Sequence, residues 1–209
     1  MKIGFVGSGK IGSTVARLAV DAGHEVRISN SRGPDTLRSL ADELGDRAEA
    51  ATVTDAARFG DLVVVATPLG AYDALPAAAF EGKVVVDANN YYPNRDGQIP
   101  ELDNDETTST ELLAEHLAGA RVVKAFNTMR SGTLATAGDP SKPADERLAL
   151  YVAGDDAEAK RAVLSLIDEF GFAPIDTGSL AEGGRKQQAG GAVYGDEVTG
   201  AEARQALGA

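Results

Sequence analysis

Short, almost wholly apolar runs alternate along the chain with longer segments in which apolar residues recur every three or four positions. The run Leu62–Val65, for example, contains no polar residue and lies between Asp61 and Thr67. Such a run is typical of a strand that is buried on both faces of a parallel sheet. The pattern predicts strands at Lys2–Val6, Glu25–Ser29, Asp61–Ala66, Lys83–Asp87, Arg121–Ala125, Leu148–Ala153 and Ala173–Asp176.

The segments between these runs have the spacing of amphipathic helices. Lys10–Ala22, with Ile11, Val15, Leu18 and Ala19 on one side, is the clearest case. Because strands and helices alternate, we predict a doubly wound α/β fold with a mostly parallel sheet and right-handed crossovers. The other predicted helices are Asp35–Leu44, Ser109–Leu117 and Asp156–Phe170.

Two stretches lack this alternation. Asn89–Thr108 is rich in Asn, Asp, Pro and Tyr, which predicts a long loop at the carboxyl end of a strand, where loops often line a ligand crevice. After Asp176, two glycine pairs predict a loop-rich segment with one short helix near its end. We therefore predict a main domain at residues 1–176 and a small C-terminal extension at residues 177–209.

A glycine motif joins the first predicted strand to the first predicted helix. Gly7-Ser8-Gly9-Lys10-Ile11-Gly12 has the spacing G-x-G-x-x-G in the strand–turn–helix context that the dinucleotide fingerprint requires. We expect Gly7 to permit the tight turn, Gly9 to let a pyrophosphate approach the backbone, and Gly12 to let helix and strand pack closely. The N–H groups at the helix N-terminus favour phosphate. The motif predicts a dinucleotide site.

The end of the second strand indicates which dinucleotide. NAD-binding proteins usually place Asp or Glu about 20 residues after the motif, where it binds the ribose hydroxyls. Here the chain reads Ser29-Asn30-Ser31-Arg32-Gly33-Pro34, and no carboxylate occurs before Asp35. A ribose phosphate would accept a hydrogen bond from Ser31 and a charge-assisted contact from Arg32. We therefore predict NADP(H) rather than NAD(H).

Composition narrows the choice of partners. The net charge of −12 and the pI of about 4.6 disfavour nucleic acid and anionic membranes. The chain contains no cysteine, which excludes disulfides, thiolate metal sites and cysteine nucleophiles. No apolar run approaches the ~20 residues that span a bilayer, and the first residues lack the features of a signal peptide. We expect a cytoplasmic protein that binds neither nucleic acid, membrane nor metal.

Several segments in a fixed order resemble a known family, the NADP oxidoreductases that depend on the deazaflavin coenzyme F420. A similar module forms the cytosolic NADPH domain of transmembrane metalloreductases. The resemblance implies a Rossmann domain whose C-terminal part helps to close the acceptor site, hydride exchange between NADPH and a small-molecule redox acceptor (coenzyme F420, FMN or FAD), and a homodimer. The segments that carry it are Val6–Gly12, Ser29–Pro34, Val122–Thr128, Val152–Asp156 and Asp176–Leu180, with Arg185.

The resemblance also implies which residues contact the cofactor. Thr67-Pro68 match the loop beside the pyrophosphate and nicotinamide. Asn127 lies where the deazaflavin-dependent enzymes often carry a histidine, so it is the candidate catalytic residue of the nicotinamide and acceptor pocket. Its Phe-Asn-Thr setting is closer to the metalloreductase module. The expected cofactor-binding residues are Gly7, Ser8, Gly9, Lys10, Ile11, Gly12, Ser29, Asn30, Ser31, Arg32, Thr67, Pro68, Asn89, Ala125 and Asn127.

Hydride transfer from nicotinamide to a flavin-like ring depends on placement and on exclusion of water, not on a nucleophile. The small number of histidines agrees with such a reaction. His24 precedes the second strand, at the edge opposite the ligand, and is interpreted as structural. His116 is expected on the surface of its helix.

Other polar residues have two interpretations each. Asn89–Tyr92 either roofs the acceptor pocket or forms a turn with two half-buried tyrosines. Lys124 points either at an anionic acceptor or into solvent at a strand end. The acidic row Glu101–Glu106 lacks the EF-hand spacing and is interpreted as a solvated loop. Asp155-Asp156 is expected to cap the following helix.

Two further functions stay open at this point. An NADPH-dependent reductase of a ketone, imine or enoyl compound would need a proton donor, for which Tyr91, Tyr92 and Tyr194 are the candidates. A redox sensor that binds NADP without turnover is the other alternative, because a fold does not fix a function.

Overall fold

The computed structural model describes residues 1–208. They form one eight-stranded sheet with helices on both faces, which confirms the predicted Rossmann-type α/β class. The strands are β1 (Lys2–Val6), β2 (Glu25–Ser29), β3 (Ala48–Ala50), β4 (Leu62–Val65), β5 (Val84–Asp87), β6 (Arg121–Lys124), β7 (Ala149–Gly154) and β8 (Ala173–Gly178).

The strand order is β3-β2-β1-β4-β5-β6-β7-β8. The first six strands are parallel, and their order reverses between β1 and β4, as in dinucleotide-binding sheets. β7 runs antiparallel to β6, and β8 runs parallel to β7. Ligands in such folds bind outside the carboxyl ends of the parallel strands, next to the switch point. The end of β1 is therefore the expected centre of a site.

Ten α-helices accompany the strands within residues 1–208. They are α1 (Lys10–Asp21), α2 (Arg38–Leu44), α3 (Val53–Phe59), α4 (Pro93–Asp96), α5 (Pro100–Asp103), α6 (Ser109–His116), α7 (Ser131–Thr136), α8 (Ala157–Glu169), α9 (Glu182–Gln187) and α10 (Gly200–Leu207). Short 3-10 turns cover Pro34–Leu37, Leu69–Ala74, Ala77–Ala79 and Ala144–Glu146.

The predicted elements recur with small shifts, and four predictions are wrong in detail. The segment Asp35–Leu44 starts as a 3-10 turn before it becomes α2. The stretch Asn89–Thr108 is not a plain loop, since it contains α4 and α5. The C-terminal segment has two helices where one was predicted. Finally β3, α3 and α7 were not predicted, because β3 lacks an apolar run and α3 and α7, with seven and six residues, are too short for a helical period to repeat.

The core lies on both faces of the sheet because consecutive residues of the central strands, as in Leu62–Val65, are apolar. On one face, side chains such as Phe5 pack against α1 and α8, including Val163. On the other face, side chains such as Val65 pack against α6, including Leu113. Burial on both faces explains why the central strands have continuous apolar sequences.

The reversed strands extend beyond the carboxyl edge of the sheet. Lys124, at the end of β6, pairs with Ala153, whereas β7 begins at Ala149, four residues earlier. Since β7 is antiparallel to β6, it projects about 13 Å past that edge. Tyr151 of the projecting part packs with Val193 and Ala203 of the C-terminal segment. This places the C-terminal segment above the edge where a ligand is expected.

Candidate functional site

Each glycine of the motif after β1 answers a different steric requirement. Gly7 has φ +107°, and a Cβ there would lie 2.2 Å from the carbonyl oxygen of Ala66. A Cβ on Gly12 would lie 2.0 Å from the carbonyl oxygen of Gly7. A Cβ on Gly9 would meet nothing within 4 Å. The fold therefore requires Gly7 and Gly12, whereas Gly9 faces open space that a ligand would use.

The N-terminus of α1 has no side-chain cap. Its N-cap residue is Gly9, which offers no acceptor to the N–H groups of the first turn. Four other helices are capped by side chains, at Thr52, Thr108, Asp156 and Thr199, and Asp156 thereby confirms the predicted cap. Unsatisfied N–H groups and the helix dipole make the α1 terminus a ready site for an anion.

A cleft of about 670 Å³ opens over this helix terminus. It brings together eight of the predicted cofactor-binding residues, namely Gly7, Ser8, Gly9, Asn30, Ser31, Arg32, Thr67 and Pro68. The sequence analysis missed its outer wall, which consists of Val53, Thr54, Ala71, Ala74, Leu75 and Pro76. These residues belong to the start of α3 and to the segment after β4, where no motif marks them. Only their position after neighbouring strands would have indicated them.

The turn after β2 holds Ser31 and Arg32 at the surface of the cleft. The Asn30 side chain organises this turn, since its Oδ1 accepts from the Arg32 amide at 2.8 Å and its Nδ2 donates to the Thr36 hydroxyl at 3.0 Å. Ser31 and Arg32 are exposed. None of the sixteen described residues that line the cleft is acidic. Its electrostatics therefore favour an anionic group over ribose hydroxyls alone.

Four further predicted cofactor-binding residues do not line the cleft. Lys10 is exposed at the first position of α1, and Ile11 packs against the core. Ser29 is fully buried and its hydroxyl donates to the carbonyl oxygen of Phe5 at 2.8 Å. Ala125 is a core residue.

A buried ion pair links the ends of β5 and β6. The Lys124 ammonium lies 3.2 Å from the Asp87 carboxylate, and both side chains have no exposed surface. Both interpretations of Lys124 are thus wrong, because it faces neither an acceptor nor solvent. Asp87 also accepts hydrogen bonds from the Thr110 hydroxyl at 2.5 Å and from the backbone N–H of Asn89 at 2.9 Å. Sequence reasoning missed Asp87, which reads as the last residue of an apolar strand.

Asparagines join the strand ends above this pair. Asn89 Oδ1 accepts from the Thr67 amide at 2.8 Å. Asn127 Nδ2 donates to Asn90 Oδ1 at 3.0 Å and to the Gln187 carbonyl at 2.7 Å. The Gln187 bond connects the end of β6 to the C-terminal segment. The two predicted residues Asn89 and Asn127 therefore lie together at this edge, outside the cleft.

A tyrosine pair closes the same edge. The hydroxyls of Tyr92 and Tyr194 share a hydrogen bond of 2.5 Å across 102 residues. Burial, together with this bond, raises the pKa of Tyr92 to about 12. Tyr91 differs, because its hydroxyl donates to Asp103 and accepts from the Ile99 amide within its own loop. Both loop tyrosines are half-buried, as one interpretation of Asn89–Tyr92 expected.

Neither the histidines nor the residues of the acidic row line the cleft. His24 is buried and hydrogen-bonded to Glu169, and burial lowers the pKa of its ring. His116 is half-buried rather than on the helix surface, since its Nε2 contacts the Leu75 carbonyl oxygen at 2.9 Å. In the acidic row, Asp105 pairs with Arg185 at 3.1 Å.

Comparison with known proteins places this chain among oxidoreductases. The family model described as NADP oxidoreductase, coenzyme F420-dependent, matches residues 2–91. A putative F420-dependent NADP-reductase from Arthrobacter sp. FB24 is 31% identical, with 86% of each chain covered and a TM-score of 0.71. A hypothetical protein from Sinorhizobium meliloti is 33% identical, with 95% of each chain covered and a TM-score of 0.82.

A curated relative is the metalloreductase STEAP3 of Rattus norvegicus, 29% identical over 182 residues that make up 86% of this chain. The chain spans about a third (34%) of that protein's length. Among residues 1–208, no helix has both the length and the apolar content that crossing a membrane requires.

Proposed function

Since the chain belongs to the coenzyme F420-dependent NADP oxidoreductase family, we propose that it is an enzyme that transfers hydride between NADP(H) and a deazaflavin or flavin acceptor. The observation that carries the proposal is the acid-free cleft after β1 and β2, with Ser31 and Arg32 exposed at its rim. An Asp or Glu at that rim would instead favour NAD, because a carboxylate binds the ribose hydroxyls and repels a ribose phosphate.

The residues of the cleft fit a phosphorylated dinucleotide. The open space before Gly9 and the uncapped α1 terminus fit a pyrophosphate. Ser31 and Arg32 would hold the ribose phosphate, because a hydroxyl and a guanidinium both donate to phosphate oxygens. The aliphatic wall that includes Val53 and Leu75 would take the adenine ring.

The chain's own contribution to the reaction is placement and shielding. When bound, the dinucleotide supplies a hydride from the nicotinamide ring, and the acceptor takes that hydride with one proton. The strand ends of β4, β5 and β6 orient the ring, and the C-terminal segment, joined to Asn127 and Tyr92, shields the edge from water. Orientation of this kind supplies about 7–11 kcal/mol of barrier lowering in favourable cases.

The preference for NADP(H) is tested by Arg32→Ala. We expect the variant to lose about 1.5–3 kcal/mol of NADPH affinity, the value of a hydrogen bond to a charged group, and to bind NADH as the wild type does. Fluorescence titration with both cofactors measures the two affinities. The matched control is Arg38→Ala, because Arg38 is exposed nearby but pairs with Asp35.

If Arg32→Ala and Arg38→Ala bind NADPH equally well, or if the wild type prefers NADH, the assignment of the cofactor is wrong.

The acceptor is tested by mixing the protein with NADPH and, in turn, coenzyme F420, FMN and FAD. We expect one of them to be reduced, seen as loss of its visible absorbance together with oxidation of NADPH. Reduction of none of the three would remove the proposal, whatever the affinity for NADPH.

One observation favours a second function, reduction of a small ketone or imine. The Tyr92 hydroxyl, whose pKa burial and the bond to Tyr194 raise to about 12, carries a proton at neutral pH, and a carbonyl must gain a proton as well as a hydride. A carbonyl reductase activity that survives replacement of Tyr91, Tyr92 and Tyr194 by Phe would contradict this mechanism.

We further propose that the enzyme is a homodimer, as the family resemblance implies. Light scattering on the purified protein would give twice the chain mass of 21.5 kDa.

A further inference from the structure

Three buried polar atoms at the carboxyl edge of the sheet have no hydrogen-bond partner among the described residues. They are Thr67 Oγ1 after β4, Asn89 Nδ2 after β5 and Asn127 Oδ1 after β6. Folded proteins leave few such atoms unsatisfied, and each one calls for a physical reason. These three share one place, since they follow adjacent strands and two of their side chains are joined directly to neighbouring strand ends.

The orientation of Asn89 is fixed from two sides. Its Oδ1 accepts from the Thr67 amide at 2.8 Å, so the Nδ2 end must point away from that amide. Its main chain is held by the buried ion pair, because the Asn89 N–H donates to Asp87 at 2.9 Å and its carbonyl accepts from Lys124 at 2.9 Å. Asn89 therefore presents a fixed, unpaired hydrogen-bond donor.

Asn127 has the opposite polarity. Its Nδ2 makes two hydrogen bonds, to Asn90 and to the Gln187 carbonyl, which leaves Oδ1 as an unpaired acceptor. The preceding residue, Phe126, has φ +63° and is fully buried. A bulky residue rarely adopts this left-handed conformation, and such strain tends to occur at functional sites. The left-handed conformation of Phe126 sets the direction of the backbone at Asn127, and with it the position of the Asn127 side chain.

A donor and an acceptor that are both fixed match one common chemical group, the primary carboxamide. We propose that Asn89 Nδ2 donates to the carbonyl oxygen of the nicotinamide carboxamide and that Asn127 Oδ1 accepts from its NH2 group. The inference rests on the proposed function, since it assumes that the dinucleotide binds in the cleft beside Thr67. It makes Asn89 and Asn127 determinants of how the nicotinamide ring is oriented.

Both atoms are enclosed in the structure, and the Gln187 carbonyl lies against Asn127. The proposal therefore requires the segment around Gln187 to shift when the carboxamide binds Asn127. Binding of the nicotinamide end is therefore coupled to the C-terminal segment, whereas binding of the adenosine phosphate end is not.

The experiment uses equilibrium binding, not turnover. Dissociation constants are measured by calorimetry for NADP+ and for its 3-acetylpyridine analogue, in which a methyl group replaces the NH2 group and the carbonyl remains. For the wild type we expect the analogue to bind about 5-fold more weakly, because the Asn127 acceptor stays unpaired. Asn127→Ala should bring the ratio of the two constants close to one.

Asn89→Ala is expected to weaken both ligands by the same factor, about 5-fold, because both retain the carbonyl group. Asn104→Ala is the matched control, since Asn104 is an exposed asparagine whose side chain donates a hydrogen bond to Glu106, and it should change neither constant. The wild-type ratio needs no variant, so the test survives misfolding of either one.

An analogue that binds the wild type as tightly as NADP+ overturns the inference, and so does an unchanged ratio in Asn127→Ala. Failure of the wild type to bind NADP+ at all would instead remove the proposed function.

Discussion

The two halves of the sheet's carboxyl edge are built in opposite ways. Over β1, β2 and β4 the edge is open, with a cleft of about 670 Å³, an uncapped helix and exposed Ser31 and Arg32. Over β5 and β6 it is closed, with the fully buried Lys124–Asp87 pair and hydrogen bonds to the C-terminal segment. The first half leaves polar groups for a ligand, and the second half satisfies most of its polar groups internally.

This difference indicates which residues mainly affect ligand affinity and which mainly affect the stability of the fold. The exposed residues of the open half, Ser31 and Arg32, can change ligand affinity at small cost in stability, because they contact solvent. Residues of the closed half cannot, because each takes part in a buried network whose loss leaves other groups unpaired. Variants that change stability and affinity independently would therefore sharpen the comparison, and variants of Ser31 or Arg32 that change both together would break it.

The largest effect is expected from Lys124→Met. The variant leaves the Asp87 carboxylate buried without its cation, which typically costs about 3–5 kcal/mol of unfolding free energy. The double variant Lys124→Met/Asp87→Asn should recover part of this loss, since the amide removes the charge and still accepts hydrogen bonds. Urea unfolding followed by circular dichroism gives both values.

The control is Arg27→Ala, which breaks the exposed Arg27–Glu49 pair between β2 and β3 of the open half. Exposed pairs contribute about 0–1 kcal/mol. If Lys124→Met costs no more than Arg27→Ala, the closed half is not held by its buried pair.

The glycine motif gives the next effect, and it separates folding from binding within four residues, Gly9 to Gly12. Gly12→Ala should destabilise the fold by about 1–3 kcal/mol, the usual cost of overpacking, because its Cβ would overlap the Gly7 carbonyl. Gly9→Ala has room for its Cβ and should unfold as the wild type does, yet bind NADPH about tenfold more weakly, since the pyrophosphate needs that space.

Gly132→Ala in α7 also adds a Cβ where nothing lies within 4 Å, and it should leave NADPH binding unchanged. A Gly9→Ala variant that binds NADPH normally would show that the pyrophosphate does not approach the loop after β1.

The open half was predicted from the sequence because its residues are contiguous. Gly7–Gly12 and Ser29–Arg32 are local motifs with a known physical reason for each position, and the continuous apolar runs predicted the central strands. The exception is the outer wall of the cleft, where Val53 and Leu75 are ordinary aliphatic residues.

The closed half could not be predicted in this way, because its contacts join distant positions. Lys124 and Asp87 are 37 residues apart, and Tyr92 and Tyr194 are 102 residues apart. No local pattern states which lysine meets which carboxylate. Strand β3 was not predicted for a different reason: it has three residues, none of them fully buried, and so lacks an apolar run.

The smallest effect concerns Asp96, which ties the closed half to the open one. Its enclosed carboxylate accepts from Arg95 and from the Tyr92 and Gly70 amides. Burial alone would raise its pKa, but these hydrogen bonds outweigh burial and hold the pKa below the ordinary 3.8. A lowered pKa means that the carboxylate stabilises the fold above pH 4 and that this contribution is lost as the pH falls through the folded-state pKa.

Asp96→Asn should therefore be less stable than the wild type at pH 7, by about 1–2 kcal/mol, and the difference should shrink towards pH 3. Urea unfolding at both pH values measures it, with Asp73→Asn, an exposed carboxylate nearby, as the control that shows no pH-dependent difference. A difference that stays constant with pH would mean that the Asp96 charge does not hold the two halves together.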